Sequence, residues 1–245
     1  MKGSIIVLLL CCGIVFSCSS LSNGPGDAQE VADIRTVRDS GEITVDNAGK
    51  IVKKYGMNFD IPNPFHSDSG GRSGKRDLSH EPTILCRAVL LDDYSTEADI
   101  LFQCKADSLD ESQCKAFREE YIEKNMRNGM FRIRIEMESG FSDKSMNPEH
   151  WSMYIENADG VMIEPVDITV SGVDAVKDSV FSDYYNVFFK RNLLRRNITL
   201  YFKTRTFFGQ DIFGGDNPFI VFVMSREKKV LARLAWKISE KAKSD

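Results

Sequence analysis

Phe131-Arg132-Ile133-Arg134-Ile135-Glu136-Met137-Glu138 is the stretch that decides the fold class. Apolar and charged residues alternate along it without a break. A strand turns successive side chains to opposite faces, so Phe131, Ile133, Ile135 and Met137 share a buried side. Arg132, Arg134, Glu136 and Glu138 then share the other. A helix would scatter both sets around its axis. The pattern fits an antiparallel sheet with one side on a core and the other toward water.

The same period recurs on both sides of this stretch. In 151–172, Asn157-Ala158-Asp159-Gly160 suits a type I turn closed by a left-handed glycine. That turn sets Ile155 opposite Ile163, with Trp151 and Met153 on the same buried face. Further strands read at 198–207, 218–224 and 230–238. In the last, Val230, Ala232, Leu234, Trp236 and Ile238 alternate with Arg233 and Lys237. Upstream, Ile84, Cys86, Ala88 and Leu90 alternate, a polar turn follows at 92–98, and Ile100, Phe102 and Cys104 return at period two. A hairpin centred on Ser95 places Leu90 against Ile100, Ala88 against Phe102 and Cys86 against Cys104. Ser108-Leu109-Asp110-Glu111 has the capping-box pattern. Cys114, Phe117 and Tyr121 follow at helical spacing until Asn128-Gly129, and this helix is expected to pack across an open end of the sheets. Seven or eight short strands with turn signals predict a mainly β protein. The expected architecture is an antiparallel β-sandwich, Ig-like or jelly-roll-like, with one inserted α-helix.

The chain has 245 residues, 42% of them apolar and 28% charged, which is ordinary for a globular domain. Its formal net charge of −4 gives no basic excess, so nucleic acid is not an expected partner. Lys2, the apolar run 5–16 and the small residue Ser17 have the layout of an export signal, and the run is too short to span a bilayer. Val15-Phe16-Ser17-Cys18 resembles the lipobox of bacterial envelope lipoproteins. Phe16 stands where a small residue is usual, as in the relaxed lipoboxes of spirochaete lipoproteins. The resemblance implies cleavage before Cys18, acylation of that cysteine by diacylglyceryl and palmitate-like chains, and membrane attachment without a spanning helix. Two or more acyl chains hold a protein stably on a bilayer. Ser19 after the cysteine favours the outer membrane by the same resemblance.

The domain reading is therefore a signal peptide at 1–17, a flexible tether with a partly ordered N-terminal segment at 18–81, and a β-sandwich at 82–245. Within 18–81, Asp46 is placed to cap a short helix ending at Tyr55. The Ser- and Gly-rich run 66–81 reads as a linker. Cys86, Cys104 and Cys114 remain after processing, in an oxidising setting. Cys86–Cys104 is geometrically allowed across the hairpin, Cys104–Cys114 is the rival, and reduced core cysteines are the third reading.

Three clusters bear on function. Asp92, Asp93, Glu97 and Asp99 crowd one turn and could ligate a hard cation, or simply be solvated. Tyr184, Tyr185, Arg191, Arg195 and Arg196 combine aromatic and cationic groups suited to an interaction surface, or to a core followed by a charged turn. Phe207, Phe208 and Phe213 lie on a long connection that either meets a partner or tucks over the core. No Gly-x-Ser-x-Gly elbow, His-Glu-x-x-His, P-loop or dinucleotide fingerprint occurs. Cys114 with His150 is the nearest approach to a hydrolase set. No catalytic, cofactor or metal residue is assigned. The sequence predicts a non-enzymatic binding or structural module acting on envelope or host-surface proteins or glycans, with a subunit of an envelope assembly or transport complex as the alternative.

Overall fold

The alternating stretch lies in β4 (Met130–Ser139), between β3 (Thr83–Leu91) and β9 (Val187–Lys203), with both pairings antiparallel. The computed structural model describes residues 33–37, 41–65, 83–140, 143–182, 187–207, 209–213 and 219–238. The other described strands are β1 (Asp33–Val37), β2 (Gly56–Pro62), β5 (Ser152–Glu156), β6 (Met162–Ile163), β7 (Asp167–Val170), β8 (Asp174–Ser182), β10 (Phe219–Arg226) and β11 (Lys229–Ile238). The described α-helices are α1 (Ala48–Tyr55), α2 (Asp93–Ala106) and α3 (Glu111–Asn125). The protein is mainly β, with two sheets rich in antiparallel pairs. One sheet runs β1-β11-β10-β5-β6; the other runs β2-β3-β4-β9-β7, with β8 also on β9.

Both sheets feed one buried cluster. Ile133 and Ile135 of β4 sit beside Leu200 and Ile198 of β9, and the cluster continues into Phe222, Leu234 and Trp236 of the other sheet. Each such aliphatic side chain, fully buried, contributes about 1.5–3 kcal/mol. The indole of Trp236 donates to the Tyr55 carbonyl at 3.0 Å, fastening β11 to the end of α1. The hairpin at 151–163 has the expected register, with Ile155 opposite Ile163 and Gly160 at a φ of 74°.

Several expectations are corrected. The segment after Asp92 is not a hairpin but α2. Asp92 caps it, accepting from the Ser95 amide at 2.8 Å while the Ser95 hydroxyl accepts from the Asp92 amide at 2.9 Å. That reciprocal cap satisfies two amides that a turn would have left to water. Ile100 and Cys104 then fall one helical turn apart, both buried. With no strand there, Cys86 and Cys104 are not neighbours. The disulfide joins Cys104 to Cys114, across the junction of α2 and α3, and Cys86 is a buried thiol. Its pKa is pushed well up by burial and by the nearby Asp60 charge.

Among the described residues the short helix ending at Tyr55 is present as α1, while the one inserted helix becomes two, α2 and α3. The capping pair of α3 is Asp110 with Gln113, not Ser108 with Glu111; Ser108 takes a φ of 54° in the turn between the helices. Helix α3 rests against α2 rather than across a sheet end, and none of its residues is buried. Helix α1 starts after Asn47, one residue past the expected cap at Asp46. Finally, the folded unit does not begin at residue 82. Strand β2 pairs with β3, and β1 pairs in parallel with β11, so 33–37 and 56–62 belong to the sheets.

Candidate functional site

Strand β3 shows where something covers the second side of its sheet. Leu85 is 42% exposed, yet Val89 and Leu91, which share its side, are buried. Helix α2 packs against this half of β3, so alternation gives way to continuous burial from Ala88 to Leu91. Beside this contact, a polar cleft of about 340 Å³ opens between the helices and strands β4, β9 and β7. Register lays out its floor, because Arg134 of β4 pairs with Thr199 of β9, which pairs with Thr169 of β7. Gln103 of α2 with Tyr121 and Asn125 of α3 form the helical wall.

Asp99, 1% exposed, is the centre of the polar network behind that floor. Arg134 grips it with both terminal nitrogens, Nη1 to Oδ2 at 2.7 Å and Nη2 to Oδ1 at 3.0 Å. Gln103 Nε2 and the Tyr121 hydroxyl also donate to Oδ2, at 3.0 and 2.8 Å. Helical spacing explains the convergence, since Thr96, Asp99 and Gln103 recur three and four residues apart on α2. Burial works to raise the Asp99 pKa. The Arg134 bond and charge, helped by Tyr121 and Arg132, overcome it and hold the carboxyl below its ordinary range. Burial, with the Asp99 charge, pushes Tyr121 up to about 12. Glu136 lies 3.3 Å from Arg134 Nη2.

Arg132 is only 4% exposed, and its Nη2 donates to the neutral Thr96 hydroxyl at 3.0 Å. Among the described residues no carboxylate comes within 4 Å of it. Its guanidinium carbon stands 5.5 Å from the Tyr121 ring centroid. Arg134 Nε and Asn197 Oδ1 are both buried with no hydrogen-bond partner among the described residues.

The residues singled out in the sequence do not converge here. Cys18, Tyr184, Tyr185 and Phe208 lie outside the described residues. Arg191, Arg195 and Arg196 are inside β9 rather than between strands, with the Arg191 side chain outside those described. Arg195 and Arg196 are adjacent in the strand and take opposite faces, so they form no single patch. Arg195 Nε donates to Glu138 Oε1 at 2.8 Å, while Arg196 Nη1 donates to the Asp143 carbonyl at 3.3 Å. Phe213 packs edge-on against Phe131 at 4.7 Å, whereas Phe207 is 98% exposed. Of the acidic cluster, Asp92 caps α2 and Asp99 is paired with arginine; no group suited to holding a metal occurs among the described residues. Cys114 is bridged and so offers no thiol to His150, whose Nε2 lies 3.0 Å from the Lys144 carbonyl.

Sequence reasoning missed Arg132 and Arg134 as cleft residues, assigning them to open solvent. The available signal was the Asp92-x-x-Ser95 cap, which starts a helix and puts Asp99 and Gln103 on one face.

No protein-family model matches the chain, and comparison with curated proteins finds no similar sequence.

Proposed function

We propose that this protein is a lipid-anchored bacterial envelope lipoprotein, attached through Cys18 with the outer membrane favoured, whose domain is a non-enzymatic binding module. The cleft between the helices and β4, β9 and β7 is the observation that carries the binding part. Its volume of about 340 Å³ falls within the range of small-molecule sites, and its lining presents guanidinium, amide and hydroxyl donors in fixed positions. The anchor part rests on residues 2–18. The finer architecture in this proposal is a β-sandwich of Ig-like or jelly-roll kind, supported by the one core to which both sheets contribute.

A second reading, a subunit of an envelope assembly or transport complex, is favoured by a different feature. Val161 and Met162 at the β6 edge and Val166, Ile168 and Val170 at the β7 edge are each 41–59% exposed. Clustered apolar side chains at sheet edges are a common docking surface.

Fatty-acid labelling of the wild type and of Cys18→Ala tests the anchor. Label on the first and none on the second is expected; an unacylated wild type removes the lipoprotein reading. A stoichiometric envelope protein recovered with the wild type and lost with Ile168→Glu would favour the assembly reading instead.

A further inference from the structure

We infer that the cleft recognises an oxyanion, the carboxylate or phosphate of a small organic ligand, with Arg132 as its principal cation. This rests on the binding-module reading and specifies its ligand class. The guanidinium groups on this side of the sheet include Arg87, Arg132, Arg134 and Arg195, and they share it with the carboxylates Asp60, Asp99, Glu136 and Glu138. Asp99 pairs with Arg134, Glu136 lies 3.5 Å from Arg87 and 3.3 Å from Arg134, and Glu138 takes Arg195. Among the described residues Arg132 has no carboxylate within 4 Å, and it is nearly as buried as Asp99.

A buried guanidinium is almost always paired, because desolvating its charge is costly. It also carries five N–H donors, and Thr96 accepts from one of its nitrogens. A planar oxyanion accepting two parallel bonds is the partner that geometry suits best. The residues around the opening agree. No carboxylate lines the cleft, and the Thr169 and Thr199 hydroxyls can donate to further oxygens. Arg134 Nε offers another buried donor with nothing to bind among the described residues.

The test is nuclear magnetic resonance of the full chain in detergent micelles, following arginine Nε–H and backbone amide signals. Inorganic phosphate, citrate and the neutral sugar N-acetylglucosamine are titrated separately at constant ionic strength. Saturable shifts of Arg134 Nε–H and the Thr169 and Thr199 amides with phosphate or citrate are expected, and the arm that saturates tells phosphate from carboxylate. In Arg132→Met, which keeps the side-chain volume, binding should weaken at least about tenfold. Should that variant not fold, Arg132→Lys retains the charge but loses the planar fork, and its affinity should still fall several-fold. Equal shifts in wild type and variant, meaning an adventitious ion only, overturn the inference. So does silence toward both anions. If the sugar alone shifts the same amides, the cleft binds and the anion assignment is wrong; silence in all three arms takes the binding reading down as well.

Discussion

The two sides of β4 carry opposite chemistry on one backbone. Phe131, Ile133, Ile135 and Met137 meet an apolar core that any close-packed set of similar volume could satisfy. Arg132 and Arg134, one residue out of phase, meet a network in which each bond depends on a particular partner atom. Hydrophobic packing tolerates exchange, while a buried ion pair does not tolerate the loss of one member. The core side therefore sets stability, and the cleft side holds a few polar groups in fixed positions at the risk of a large penalty if one is removed.

The sharpest way to break this contrast is at Asp99. Replacing Asp99 with Ala strands Arg134 as a buried charge and should cost about 3–5 kcal/mol in urea unfolding. The double variant Asp99→Leu/Arg134→Met should recover part of that loss, since both charges leave together, while falling short of the wild type because Gln103 and Tyr121 lose their acceptor; a double variant as weak as the single would refute the pairing argument. Ile135→Ala on the opposite side should cost about 3 kcal/mol through cavity formation, with no compensating second substitution at Asp99 or Arg134. Removing the Cys104–Cys114 bridge, which closes a loop with a sequence separation of 10, should cost about 2–3 kcal/mol. Equilibrium unfolding of the double Cys→Ser variant measures it, and its Cys86 signal should remain that of a buried thiol.

The smallest effect is in pH dependence. Asp99 has a depressed folded pKa, so its stabilising contribution is present above about pH 4 and is lost as pH falls further. Tyr121 has a folded pKa raised to about 12, so its contribution is present below about pH 10 and is lost as pH rises through about 12. Unfolding curves at stepped pH should lose the acid-side change in Asp99→Leu/Arg134→Met. Ultraviolet titration should show a late tyrosine component that Tyr121→Phe removes.

Strands with a single apolar side and the helices α1 and α3 were legible in the sequence, while α2, β1, β2 and the cleft were not. β4, the hairpin through Gly160 and β11 each alternate because one side meets the core and the other does not. Helix α2 was hidden because Ile100, Phe102 and Cys104 imitate a strand at period two. Phe102 is in fact 43% exposed, and only Ile100 and Cys104 of the three are buried. Strands β1 and β2 escaped because their partners, such as Leu234 for Asp33, are set by tertiary pairing that no local pattern displays. The cleft escaped for a related reason. Its polar groups come from α2, α3, β4, β7 and β9, and each looks like an ordinary surface residue until the five are assembled.

The parallel ladder between β1 and β11 has a kinetic consequence. Asp33 to Val37 can dock only onto Leu234 to Ile238, so closing that seam requires some two hundred intervening residues to be already ordered or looped out. During synthesis β1 therefore stays without this partner until Leu234 to Ile238 have been made. Their pairing completes the β1-β11-β10-β5-β6 sheet, so the first of the described strands waits for the last.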